Sequence, residues 1–153
     1  SGGGQEFGLR GGTENLIGIV SFGESVSSLT KINDEAIRLK NLIKLLEDNL
    51  SSLGASIFGY NVSRLPNTSL FSFSDITSEI LLMKLDLAGF SVSSGSACSS
   101  GKVKESHVLK AMNISQNMRE GAIRVSLGWG SNKEEVKNFI SFFENLFNKT
   151  AKE

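Results

Sequence analysis

The 153 residues of this chain include only one cysteine, one proline, one histidine, one tryptophan and one tyrosine. A lone cysteine excludes an internal disulfide and fits a reducing compartment. A lone histidine cannot build a metal site of the usual histidine and cysteine kind. Excess charge is missing too: sixteen basic residues cancel sixteen acidic ones, so no field of one sign points to nucleic acid. No apolar run approaches the roughly 20 residues that cross a bilayer. Nor is there a basic-then-apolar start of the secretory kind. The compartment this predicts is the cytoplasm, with neither membrane nor nucleic acid as a direct partner. Phenylalanine is the exception to the scarcity of aromatics. Its ten copies lie mostly in apolar stretches and are not interleaved with basic residues, which counts against a base-stacking surface. The length suits one domain with a real hydrophobic core.

The cysteine sits in Ser93-Ser94-Gly95-Ser96-Ala97-Cys98-Ser99-Ser100-Gly101, a run of small residues that cannot bury a sulfur under side chains. Structural cysteines pack among larger hydrophobes. Cys98 is instead presented, either as a nucleophile or carrier or as a surface residue in a loop where serine would serve. The start is also unusual, with six glycines among the first thirteen residues and no apolar periodicity. Two readings fit it: a flexible leader, or a loop passing close to a phosphate with Arg10 and Thr13 as polar contacts. It matches neither the dinucleotide fingerprint nor the lysine-bearing phosphate loop. His107, beside Val108 and Leu109, reads as a packed helix residue.

Between these segments the pattern alternates. Leu16 to Leu29 predicts a helix weakened by Gly18 and Gly23. Ile32, Ala36, Leu39, Ile43, Leu46 and Leu50 form one helical stripe, with Lys31, Glu35, Arg38, Lys44, Glu47 and Asp48 on the other faces and Gly54 as the stop. Short strands are expected at 55–58, 68–74, 90–92 and 123–127, and further helices at 78–88, 106–112 and 133–148. Leu70 falls out of phase with Phe71 and Phe73. Ser131 and Glu134 predict a capping box for the last helix, whose stripe is Val136, Phe139, Ile140, Phe143, Leu146 and Phe147. The fold class is α/β, one layer of helices on a small mixed or antiparallel sheet.

Four ordered segments resemble one family. They are Gly2-Gly3-Gly4-Gln5-Glu6-Phe7-Gly8-Leu9-Arg10-Gly11-Gly12-Thr13, Arg64-Leu65-Pro66-Asn67-Thr68, Ser93-Ser94-Gly95-Ser96-Ala97-Cys98 and Ile123-Arg124-Val125-Ser126-Leu127-Gly128. Together with Ser106 to Met112 they resemble the carboxy-terminal part of a cysteine desulfurase of the NifS/IscS type, within the class V aminotransferases. The resemblance implies the small domain of a fold-type I pyridoxal-phosphate transferase, with a mostly antiparallel sheet. It divides the chain into residues 1–15, a glycine-rich loop from the end of the large domain, and 16–153, the small domain with its cysteine loop at about 93–104. The cofactor lysine, the stacking histidine and the pyridine-nitrogen aspartate belong to the large domain in this family. The resemblance therefore predicts a fragment inactive alone, and a homodimer for the full-length enzyme.

By resemblance, Cys98 takes sulfur from L-cysteine as a persulfide, leaving L-alanine, and passes it to an acceptor for iron–sulfur cluster assembly or tRNA thiolation. It also becomes a transient ligand of a cluster being built on a scaffold protein. Lys102 and Lys104 either favour its thiolate or are solvated charges. Arg124, a charge in an apolar run, is costly there unless paired. By resemblance it clamps the substrate carboxylate; an edge strand with the arginine on its wet face is the alternative. Thr13 matches a threonine that reaches the cofactor phosphate of the partner subunit, and is also suited to cap the helix before Leu16. Arg10 orients that loop, and Asn67 borders the substrate pocket or serves a turn. Gln5-Glu6-Phe7 stands where many relatives carry histidine-glutamate-arginine. Other readings remain open: a selenocysteine lyase or related pyridoxal-phosphate lyase, or a non-catalytic sulfur-carrier or scaffold-binding module presenting Cys98.

Overall fold

The two longest apolar stripes wind into helices α2 (Ile32–Ser52) and α6 (Lys133–Thr150), in a computed structural model that describes residues 3–94 and 106–150. The chain divides into two compact units, residues 1–35 and 36–153. In the first, a 3-10 turn (Glu6–Gly8) is followed by α1 (Leu16–Ser27) and a second 3-10 turn (Ser28–Lys31). α1 buries no residue of its own. Ile17 and Phe22, for example, are 81% and 72% exposed.

The second unit holds strands β1 (Ser56–Ile57), β2 (Thr68–Ser72), β3 (Ser93–Ser94) and β4 (Ile123–Ser126). They form an antiparallel sheet in the order β1-β2-β4-β3. Helices α2, α3 (Ser78–Leu87) and α6 share a core with one of its faces. This is the small antiparallel sheet with helices packed on it that the sequence implied. Leu39, Leu42, Ile43, Leu46 and Leu50 of α2 and Val136, Phe139, Ile140 and Phe143 of α6 meet Phe71, Phe73, Ile123 and Val125 there. Ile32, at the head of the predicted stripe, stays exposed. Phenylalanine is abundant because it builds this core: Phe143 touches the rings of Phe71, Phe73, Phe139, Phe142 and Phe147.

The opposite face is partly covered by α4 (His107–Ala111) and α5 (Gln116–Glu120). Leu70 packs there with Phe58, Leu109, Ala122, Ile114 and Met118. This second cluster explains why Leu70 breaks the alternation, since both faces of β2 are apolar at that point.

Three helices end the same way. In α2, Gly54 (φ 92) follows the last turn, and the N–H of Ala55 donates to Leu50 O at 2.9 Å. In α3, Gly89 (φ 84) does the same, with Phe90 N–H on Leu85 O at 2.9 Å. Asn113 (φ 56) ends α4, with Ile114 N–H on Leu109 O at 3.1 Å. These are Schellman closures, in which a left-handed residue returns the chain onto the orphan carbonyls.

Several expectations are corrected. Phe90–Val92 is not a strand: the ring of Phe90 packs on Phe139 and Phe142, and the ladder to β4 starts only at Ser93. α5 was not expected. The capping box of α6 sits one residue later than predicted. Asn132 Oδ1 accepts from the N–H groups of Glu134 and Glu135 at 3.0 Å each, and Glu135 Oε2 accepts from Asn132 N–H at 3.0 Å. Ser131 instead accepts from Gly128 N–H through its hydroxyl, at 3.0 Å. His107 is exposed at the first position of α4, where Ser106 caps the helix through Leu109 N–H, so it is not packed.

Candidate functional site

β4 alternates buried and exposed residues, with Ile123 and Val125 in the core and Arg124 and Ser126 on the other face. This is how the chain carries a charge inside an apolar run without burying it. β4 is an inner strand, so Arg124 is flanked on both sides, by Leu70 of β2 and by Ser93 of β3. Leu70 lies under the α4–α5 cover, whereas its neighbour Arg124 is exposed. Among the described residues the Arg124 guanidinium has no partner. The edge-strand alternative is therefore wrong about the strand and right about the open face.

Asn67 precedes β2 and closes the same ladder. Leu127 N–H donates to Asn67 O at 2.8 Å, and Asn67 Nδ2 donates to Leu127 O at 3.2 Å. Its Oδ1 accepts from the Thr68 hydroxyl at 3.2 Å. The carboxamide thus holds the end of β4 beside β2. The turn after β4 is held from the other direction, by Arg38 of α2. Arg38 donates to the carbonyls of Ser131, Gly128 and Trp129 at 2.6, 3.3 and 3.2 Å.

A second arginine fixes the loop before Asn67. Arg64 forks onto Glu47 of α2, with Nη1 to Oε1 at 2.7 Å and Nη2 to Oε2 at 2.5 Å, and reaches Thr68 O at 3.1 Å. Glu47 is 2% exposed, although the sequence places it on a polar face of its helix. The bonded Glu47 carboxylate holds the Arg64 guanidinium above the usual arginine range, against the opposing effect of burial. Glu47, Arg64 and Arg38 were not singled out from sequence, where each is one charge among many.

β3 leads toward Cys98 in the sequence. Cys98 itself, with Lys102 and Lys104, lies outside the described residues. What is described is the strand before it, with Ser93 directly opposite Arg124.

In the first unit, Arg10 and Thr13 come together. Arg10 Nη1 donates to Gly12 O at 3.2 Å and to Thr13 O at 3.1 Å. The cap of α1 is Asn15, whose Oδ1 accepts from Gly18 N–H at 3.0 Å. Thr13 is therefore not the cap, and among the described residues its exposed hydroxyl has no partner. A groove of about 640 Å³ between Phe90–Val92 and Val125–Leu127 is lined by neither Arg124 nor Asn67. Among the described residues no group of three histidine, cysteine, aspartate or glutamate side chains could hold a metal ion, and no helix is long and apolar enough to cross a membrane.

Comparison with known proteins gives this geometry a context. The chain is 37% identical over 153 residues to a protein named Cysteine desulfurase IscS from Dictyoglomus turgidum, covering 97% of this chain and 38% of that protein. It is 38% identical over 141 residues to Cysteine desulfurase IscS 1 of Archaeoglobus fulgidus, covering 91% of this chain and 37% of that one. The solved structure of a NifS-like protein from Rickettsia africae superposes with a TM-score of 0.78 at 34% identity, over 96% of this chain and 39% of the other. The chain thus spans well under half the length of these relatives. The family model described as aminotransferase class-V matches residues 3–139, through the glycine-rich loop, the ladder around Arg124 and most of the helical core. The chain belongs to the class-V aminotransferase family.

Proposed function

We propose that the chain is the carboxy-terminal small domain of a cysteine desulfurase, in which Arg124 binds the carboxylate of L-cysteine and Cys98 takes its sulfur. The observation that carries this reading is the position of Arg124. It is an unpartnered guanidinium among the described residues, on an inner strand, opposite the strand that leads to Cys98. Such a fork suits a carboxylate, which it meets with two parallel N–H donors. The desulfurase names of the relatives point the same way.

The family is pyridoxal-phosphate dependent, and the cofactor when bound supplies an electron sink at the substrate α-carbon. The described residues fit its phosphate at one point. The Thr13 hydroxyl is exposed and has no partner among them, and Arg10 is already committed to the carbonyls of Gly12 and Thr13. In this reading Thr13 gives one hydrogen bond to the cofactor phosphate of a partner subunit, while Arg10 holds the loop.

Arg124 orients the substrate by its carboxylate, and Asn67 holds the end of β4 that carries the arginine. The Cys98 thiolate, favoured by Lys102 and Lys104, attacks the sulfur of the substrate. A sulfur–sulfur bond forms as the bond from that sulfur to carbon breaks. Its electron pair stays with the carbon fragment, which leaves as alanine after protonation. The outer sulfur of the persulfide then passes to a nucleophile of an acceptor protein, for cluster assembly or tRNA thiolation, as the sulfur–sulfur bond breaks and the Cys98 thiolate leaves. Cys98 is a transient ligand when the acceptor is a cluster scaffold.

The test is Arg124→Lys in the full-length desulfurase of this proposal. Lysine keeps the charge and loses the fork, so KM for L-cysteine rises about 10- to 100-fold, the worth of one charge-assisted hydrogen bond. An unchanged KM would remove Arg124 from the substrate site.

A further inference from the structure

The segment before α1 is shaped without any core. Its 3-10 turn buries no residue. Glu6 (φ 52) and Phe7 (φ 57) both adopt the left-handed backbone that side chains other than glycine rarely enter. Something outside packing must hold it, and its side-chain hydrogen bonds converge on two residues. Gln5 Oε1 accepts from Gly12 N–H at 3.3 Å, and Arg10 donates to the carbonyls of Gly12 and Thr13. The carboxamide of Gln5 needs the space over Gly3, where an added Cβ would lie 2.3 Å from Oε1. Gln5 and Arg10 thus grip both polar groups of the Gly12 main chain and the Thr13 carbonyl. Asn15 takes the cap of α1, leaving the Thr13 hydroxyl unused among the described residues.

We propose that Gln5 is a positioning residue that, with Arg10, presents the Thr13 hydroxyl to the cofactor phosphate. This inference rests on the reading of Thr13 given above. A donor already held in place binds without the cost of ordering its loop. Gln5 touches neither substrate nor cofactor and acts only through the Gly12–Thr13 backbone. Its signature is therefore dependence on Thr13 and on the phosphate of the ligand.

The experiment titrates the full-length apoenzyme, and its Gln5→Ala, Thr13→Ala and doubly substituted forms, with pyridoxal 5'-phosphate and with pyridoxal lacking the phosphate. Binding is followed by visible absorbance. Thr13→Ala is expected to weaken pyridoxal 5'-phosphate about 10-fold. Gln5→Ala is expected to weaken it about 2- to 10-fold, the range for ordering one side chain on binding. The double variant should match Thr13→Ala alone, and pyridoxal affinity should not change. If Thr13→Ala weakens binding and Gln5→Ala does not, or if the two effects multiply, the role of Gln5 is overturned while that of Thr13 stands. Equal loss of pyridoxal and pyridoxal 5'-phosphate in Gln5→Ala would also overturn it, as general disruption. If Thr13→Ala changes nothing, the reading of Thr13 itself fails.

Discussion

Replacing Arg64 by methionine strands the Glu47 carboxylate in the core. Its side chain is 3% exposed, and both oxygens are bonded to the guanidinium, whose own side chain is 27% exposed. Removing one partner of a fully buried pair costs about 3–5 kcal/mol, because the remaining charge is left uncompensated. Arg64 is partly wet, so water enters the vacated space, and we expect less than that, about 2–3 kcal/mol. The bond to Thr68 O at 3.1 Å is lost as well. Glu47→Gln, with the arginine able to turn to solvent, should cost about 1–2 kcal/mol. The double variant Glu47→Leu with Arg64→Met removes both desolvation penalties and should lie within about 1 kcal/mol of the parent. Urea denaturation of the chain followed by circular dichroism reads these values. In heat the Arg64→Met variant should melt about 5–10 °C lower. If the double variant loses as much stability as Arg64→Met alone, the carboxylate is not stranded and the reasoning fails.

Three further outcomes follow from the same geometry. A Cβ on Gly121 would lie 2.8 Å from Ile76 O and 3.0 Å from Phe73 O, so Gly121→Ala should cost about 1–3 kcal/mol; a neutral effect in urea denaturation would contradict that packing. Ser69 is fully buried, and its Oγ has no partner among the described residues; Ser69→Ala should raise stability by about 1 kcal/mol, and a loss would imply a bond to the hydroxyl. With Ile17 and Phe22 of α1 so exposed, the 153-residue chain alone should self-associate with rising concentration. Light scattering checks this: Ile17→Glu with Phe22→Glu should reduce the association, and a monodisperse unsubstituted monomer would refute it.

The helices that the sequence made plain are those with a broad apolar stripe and a glycine stop, α2 and α3, and the strongly amphipathic α6. Apolar character reports burial and not laddering, which is why Phe90–Val92 resembled a strand although Phe90 belongs to the aromatic core. α5 is a single polar turn or so, and only Met118, beneath Ser72, reveals what it covers. Ser131 and Asn132 are both good caps and adjacent, so only the geometry chooses between them. In the candidate site, Arg124 was legible because a charge in an apolar run demands a reason. Cys98 stands out in the sequence because small neighbours cannot bury it, and it lies outside the described residues. Gln5, Arg38 and Arg64 were not, because their partners are backbone carbonyls, an amide and a carboxylate brought near by folding.

In the proposed reaction Cys98 takes the sulfur of L-cysteine. The most direct measurement gives the full-length protein L-cysteine and pyridoxal phosphate and counts alanine and protein-bound persulfide, with and without Cys98→Ala. Both products are expected with Cys98 and should collapse together without it. Alanine that continues to form in Cys98→Ala would contradict it and assign the chemistry to a different lyase of the family.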